Sequence, residues 1–476
     1  MNFQDFLLLH QEAGLMGVLL VLLVYDIFAS ERGMQWFRLS ACLLMAGLTA
    51  WGFLPGTTGE AFGGMFVATD MTILMKNILN VATLLVFMQS GQWLRSTGEL
   101  RKREGEFYVI TLATLLGMYL MVSAGNFMML YIGIEMASLP LACLVALNKY
   151  REKSAEAGAK YILVSALSSG IMMFGLSYLY GAMGTMYFAD MNASVAASPM
   201  VILGLVFFLS GLAFKISIVP FHLWTADVYE GAPTGVTSYL SVVSKGAAVF
   251  ALLFALYQVF GNVERVWHHI LWGLSIASIV VGNLFALRQR DIKRFFAFSS
   301  ISQAGYILLG VIAGTAQGMT ATVYYVLVYL FSNMAAFGVI TAVENSSGRT
   351  DMAAYDGLYK SNPRLAVVMM LALFSLAGIP PLAGFFSKFF IFAAAAAQGE
   401  YVLVFIALLN TVVSLYYYLM VVKAMFINAP QEDGPGRMST DPYNRISLIV
   451  CTVALVVIGI ASGIYTFIGG LSSGVV

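Results

Sequence analysis

Charge is scarce in this 476-residue sequence: Asp, Glu, Lys and Arg make up 10% of it, against 60% hydrophobic residues. An ordinary soluble domain carries roughly 25% charged residues, and no soluble fold could hide so much apolar surface. Cysteine is scarcer still. Cys42, Cys143 and Cys451 stand far apart, with none of the close spacings that hold an iron–sulfur cluster. Of four histidines, only His222 lies deep in an apolar run, so no pair is placed to grip a haem. No glycine-rich dinucleotide loop follows a strand. The chain is expected to bind no redox cofactor and no metal.

What remains is one apolar run after another. A bilayer core about 30 Å thick takes roughly 20 apolar residues per helical crossing, and the runs are apolar all round, unlike the alternating strands of a barrel. The reading is an all-α integral membrane protein with about fourteen transmembrane helices: 4–28, 36–54, 68–92, 107–123, 125–147, 157–185, 201–223, 233–260, 265–287, 295–315, 317–344, 364–397, 401–426 and 445–470. The first run has no basic residue before it and is followed at once by a second, so it reads as a retained crossing, not a cleaved signal.

Basic residues are retained on the cytoplasmic side of a membrane. With this numbering, Arg32, Arg38, Arg95, Arg101 to Arg103, Lys149, Arg151, Lys153, Arg288, Arg290, Lys293, Arg294, Arg349, Lys360, Arg364, Lys423, Arg437 and Arg445 share one side, 19 of the 25 Lys and Arg residues. Arg265 alone takes the other, which puts both termini outside. Five lysines remain, Lys76, Lys160, Lys215, Lys245 and Lys388, inside apolar runs with one deep acid, Glu135. A mid-membrane charge costs roughly 2.5–3.5 kcal/mol on insertion scales and generally marks an ion or proton path. Lys76 and Lys160 lie nearer helix ends, where a long stem can snorkel to the headgroups. Snorkelling is a poor account of Glu135, Lys215, Lys245 and Lys388.

Two crossings are also broken. Crossing seven contains Lys215-Ile216-Ser217-Ile218-Val219-Pro220, where the proline frees the Ile216 carbonyl beside Lys215. Crossing twelve contains Gly378-Ile379-Pro380-Pro381-Leu382-Ala383-Gly384 and then Lys388. Non-helical backbone at membrane depth needs protein or water around it, so both breaks point at a polar interior. The breaks stand five crossings apart. That spacing suggests two five-helix units, helices 4–8 and 9–13, the second inverted. The plainer account is that Gly and Pro are common in membrane helices. The chain then divides into flanking helices 1–3 (1–106), a first repeat (107–260), a second repeat (261–428), and a loop with helix 14 (429–476). Segment 426–444 reads as a polar surface loop.

The run Pro220-Phe221-His222-Leu223-Trp224-Thr225-Ala226-Asp227-Val228-Tyr229-Glu230-Gly231-Ala232-Pro233 resembles the signature of the subunit N family of proton-pumping NADH:quinone oxidoreductase, respiratory complex I. The resemblance extends to Gly133-Ile134-Glu135, Ala159-Lys160-Tyr161, Ser244-Lys245 and 378–389, spanning about residues 107–426. Ala226 departs from it, standing where the family usually has proline. The sister subunits L and M share the fold and the deep lysines, but their loop resembles Asp-Ala-His in place of Asp227-Val228-Tyr229.

This resemblance implies a membrane-arm subunit of a bacterial cytoplasmic membrane, forming an antiporter-like proton channel coupled to electron transfer elsewhere. NADH, flavin, iron–sulfur clusters and quinone would act on other subunits. The partners implied are neighbouring antiporter-like and small hydrophobic subunits and the lipid bilayer, with no nucleic acid. Glu135 and Lys215 would be the switch, Lys245 a midplane relay and Lys388 the step towards the outside, with Lys160 and His222 assisting the cytoplasmic approach. Ser299, Ser300, Ser302, Gln303, Tyr324, Tyr325, Ser332 and Asn333 offer places for water, although small hydroxylated residues also simply pack membrane helices. The competing reading is a cation/proton antiporter subunit of the same superfamily. One acid among several lysines makes a poor sodium site, since sodium takes oxygen ligands.

Overall fold

The computed structural model describes residues 7–54, 56–96, 98–430, 436–461 and 463–474. Residues 4–6 of the first expected crossing, the Arg32 side chain and 431–435 of the polar loop lie outside the described residues. In chain order the larger helices are α1 (His10–Phe28), α2 (Glu31–Gly52), α3 (Asp70–Leu94), α4 (Glu104–Val122), α5 (Phe127–Val145), α6 (Glu152–Met183) and α7 (Pro199–Ile216). They continue as α8 (Leu223–Gly231), α9 (Thr234–Gln258), α10 (Glu264–Ala286), α11 (Ile292–Ile312), α12 (Ala316–Ser347), α13 (Pro363–Ala377), α14 (Ala383–Ala397), α15 (Tyr401–Phe426), α16 (Pro442–Ile460) and α17 (Gly463–Ser472).

Among the described residues, twelve helices are long and apolar enough to cross a membrane. The expected second crossing is α2, a 22-residue helix outside that set. The expected twelfth is two shorter apolar helices, α13 and α14, in succession. An all-helical reading also leaves out a small ribbon: β1 (Gly59–Ala61) pairs antiparallel with β2 (Phe66–Ala68), closed by left-handed Phe62, Gly63 and Gly64.

Short polar side chains cap several of the helices. Asn126 accepts the Met129 N–H at 2.8 Å, Thr69 and Thr72 form a capping box, and Asp291 accepts from the Lys293 and Arg294 amides. Each satisfies backbone donors that have no partner in the first turn. Burial then sorts the helices into layers. α9 and α11 are buried along their whole apolar length and α12 almost so, whereas α1, α15 and α16 are mostly exposed. Helices with no outward face ordinarily carry apolar residues all round. Here α9 and α11 carry Lys245, Lys293, Ser299, Ser300 and Gln303, all buried. The polar interior therefore coincides with the centre of the protein.

Both breaks are built alike. α7 ends at Ile216, four residues before the proline that marks the break in the sequence, because Ser217 turns left-handed at φ 65°. Its Ile218 N–H reaches back to the Ala213 carbonyl at 2.9 Å. α13 ends with Gly378 at φ 88°, and the Ile379 N–H reaches the Phe374 carbonyl at 2.9 Å. Such a reversal satisfies carbonyls that the last turn leaves open. The rings of Pro220, Pro380 and Pro381 are exposed on the outer surface, while the lysines beside the breaks turn inward. Gly384 is required for this fit: a Cβ there would lie 1.7 Å from the Ser375 carbonyl oxygen.

Candidate functional site

Glu135 sits on α5, which closes on α4 where Gly117 and Gly133 let the two backbones touch; a Cβ on Gly117 would fall 2.4 Å from the Ala137 nitrogen. Pro140 follows in the same helix and removes the amide that would bond the Met136 carbonyl. The Glu135 carboxyl is partly buried, and its Oε1 has no hydrogen-bond partner among the described residues. Lys215, in the last turn of α7, donates to the Tyr161 hydroxyl at 3.3 Å. Among the described residues no ion pair within 4 Å joins Lys215 to Glu135. The acid is nevertheless close enough to be coupled electrostatically to Lys215 and Tyr161. The anticipated pair is thus two groups with a tyrosine beside them.

Lys245 follows a π-helical turn, Leu240–Ser244, that interrupts α9. π-Turns inside α-helices are frequent at functional sites. Its Nζ donates to Ser300 of α11, to the hydroxyl at 2.9 Å and the carbonyl at 3.1 Å. From the neighbouring Ser299 a chain of polar contacts runs on. Ser299 meets the Tyr418 hydroxyl at 2.5 Å, Gln303 donates to Tyr418 at 3.3 Å, and Tyr325 donates to Gln303. Gln303 and Tyr325 then line a small cavity with Ser332, Ser375 and Lys388. Lys388 donates to the Ala377 carbonyl at 3.0 Å, at the C-terminal end of α13, where the helix dipole favours a cation. Lys215, Lys245 and Lys388 are 6%, 2% and 5% exposed. None of the three has a carboxylate within 4 Å among the described residues.

The two supporting residues sit elsewhere. Lys160 is at the mouth of a cleft of about 150 Å³ on the side that holds most of the basic residues, with its side chain 42% exposed. There it contacts Asp227 at 2.7 Å and Glu156 at 2.6 Å. Arg294 bridges Asp227 at 2.7 Å and Glu230 at 2.8 Å, and Lys153 reaches Glu230 at 2.7 Å. Partial burial pushes the Asp227 and Glu230 carboxyls up, but hydrogen bonds from these cations outweigh it and hold both below the usual carboxylate range. His222 begins α8 at the first break, half-buried, with Nδ1 unpartnered among the described residues.

Sequence reading missed several members. Tyr161 and Tyr418 look like ordinary aromatic packing in apolar runs, and only their hydroxyl partners reveal them. Lys293 reads as a loop charge, yet it is fully buried and donates to the Ala232 carbonyl at 3.0 Å. Glu12 also escapes notice, close to the start of the chain. Its Oε1 meets Lys76 at 2.5 Å, with side chains 5% and 1% exposed, so Lys76 is buried and paired and does not snorkel. Of the serines and tyrosines on α11 and α12, Tyr324 points away, donating to the Ile458 carbonyl.

Residues 124–414 match the family described as NADH:quinone oxidoreductase/Mrp antiporter, TM. NADH-quinone oxidoreductase subunit N of Azobacteroides pseudotrichonymphae is 61% identical, covering 100% of this chain and 99% of that one. The chain belongs to the subunit N family of NADH-quinone oxidoreductase. NADH-quinone oxidoreductase subunit N of Phocaeicola vulgatus is 52% identical to this chain, over 98% of each. A chain of respiratory complex I from Thermus thermophilus with bound aureothin superposes with a TM-score of 0.79 at 31% identity, covering 95% of this chain and 97% of that one. Both breaks and Glu135, Lys215, Lys245 and Lys388 fall inside the matched region. The Glu12–Lys76 pair lies before it.

Proposed function

We propose that this chain is a membrane-arm subunit of a proton-pumping NADH:quinone oxidoreductase, and that Glu135, Lys215, Lys245 and Lys388 form its proton path. Supporting this is the way the three lysines are held. Their ammonium groups meet a tyrosine hydroxyl, a serine and a backbone carbonyl. Each can release its proton without stranding a buried carboxylate, which would carry a heavy desolvation penalty. Lys76, locked to Glu12, cannot. Movement of Glu135 towards Lys215 stabilises the ammonium, and its withdrawal frees the proton to pass on. Lys245 relays it through the Ser300, Ser299, Tyr418, Gln303 and Tyr325 row, and Lys388 hands it towards the outside.

The cleft of Lys160, Asp227, Glu230 and Arg294 would collect protons from the cytoplasm, with His222 beside the first break. In this reading α2 and the α13–α14 pair complete fourteen crossings with both termini outside, and helices 4–8 and 9–13 are inverted repeats. The matching reversals at Ser217 and Gly378 support that symmetry. NADH, flavin, iron–sulfur clusters and quinone belong to partner subunits. Lys388→Met tests the path in membranes that hold the assembled complex. The expected result is a loss of NADH oxidation and of the proton gradient together. Normal pumping in that variant would remove Lys388 from the mechanism.

A further inference from the structure

A groove of about 960 Å³, lined by none of the deep lysines, lies between the N-terminal ends of α13 and α16. Arg364, Arg437 and Arg445 line it, and below them run Val368, Ile449 and Val453. We propose that this groove binds an anionic phospholipid, its phosphate held by the three arginines and one acyl chain lying along α16.

The arginines share the side of the protein that keeps most basic residues, at helix ends, where headgroups sit. None forms an ion pair among the described residues. Among the described residues, Asp441 at the start of α16 is gripped by Arg38 in a two-pronged contact at 2.9 and 3.0 Å. Asn362 holds Arg437 in place by donating to the Gly436 carbonyl and accepting the Met438 N–H, both at 2.9 Å. Two helix N-termini open at the same end, and their dipoles add to the attraction for an anion.

The lower groove suits a hydrocarbon chain. Arg445 to Val453 spans about 12 Å of helix, most of one leaflet's roughly 15 Å of hydrocarbon. Ile449 and Val453 are 56% and 54% exposed, so the groove opens sideways into the bilayer. Basic pockets between membrane helices on the cytoplasmic side select anionic headgroups. This inference needs the chain to span a membrane but is independent of the proton path.

The test places a photo-reactive benzoylphenylalanine at Val453 in the assembled complex in its own membranes. Mass spectrometry then identifies what it captures. The expected adduct is a phospholipid enriched in anionic headgroups over the bulk membrane. Arg364→Gln with Arg445→Gln should cut that enrichment by about thirtyfold, as loss of two charges near a headgroup does. In complex relipidated with phosphatidylcholine vesicles, labelling by added phosphatidylglycerol should persist against excess inorganic phosphate. An adduct with a neighbouring subunit's peptide, a headgroup mix equal to the bulk, or displacement by phosphate would each overturn the proposal. The wild-type adduct decides the matter even where the double variant fails to assemble.

Discussion

Replacing Lys76 by Met leaves Glu12 buried without its cation. The two side chains are 1% and 5% exposed and meet at 2.5 Å, and Glu12 Oε2 already lacks a hydrogen-bond partner among the described residues. Breaking such a pair on one side costs about 3–5 kcal/mol, whereas removing both charges with similar volume is often neutral. At about 1.4 kcal/mol per decade, the single variant should shift the folding equilibrium by two to nearly four decades. That is enough to deplete a marginally stable fold. Glu12→Gln with Lys76→Met should restore it. Assembled complex and NADH oxidation surviving a heating series are the measurements. A single variant as heat-resistant as the double would refute the claim that this pair is structural and electrostatically closed.

Three further outcomes follow from named contacts. Gly384→Ala drives a methyl into the Ser375 carbonyl, and overpacking of about 1–3 kcal/mol or more should lower the amount of assembled complex seen on native gels. Ser300→Ala removes one of two acceptors of Lys245, and a hydrogen bond to a charged group is worth about 1.5–3 kcal/mol. Proton pumping should drop by about tenfold or more in that variant, with Ser300→Thr close to normal. Asp227 and Glu230 are held below the usual carboxylate range, so their bridges are fully present above about pH 4 and are lost as pH falls through the lowered values. The melting-temperature gap between wild type and Asp227→Asn/Glu230→Gln should therefore stay constant from neutral pH down to about 5 and close below about 4.

Much of this protein is legible in its sequence because a membrane punishes ambiguity. Lys215, Lys245, Lys388 and Glu135 announce themselves as charges in apolar runs, and the prolines flag both breaks. Resolution fails where one residue type serves two purposes. The end of α7 is set by a left-handed Ser217, which no pattern marks, so the proline places the break four residues late. Tyr161 and Tyr418 are indistinguishable from packing aromatics until their hydroxyls find Lys215 and Ser299. Glu12 and Lys76 are 64 residues apart in the chain, and only the tertiary fold makes them a pair. Lys293 adjoins an arginine that does face the cleft, and one residue of helical rotation separates the buried charge from the exposed one.

The central claim is that Lys215 and Glu135 work together to move a proton that electron transfer drives. It is tested most directly by NADH-driven proton pumping in membranes carrying Lys215→Ala or Glu135→Ala, with assembly of the complex checked alongside. The account predicts that both variants assemble and that oxidation and pumping fall together. Normal oxidation with normal pumping in either assembled variant would contradict it and leave these buried charges a structural role only.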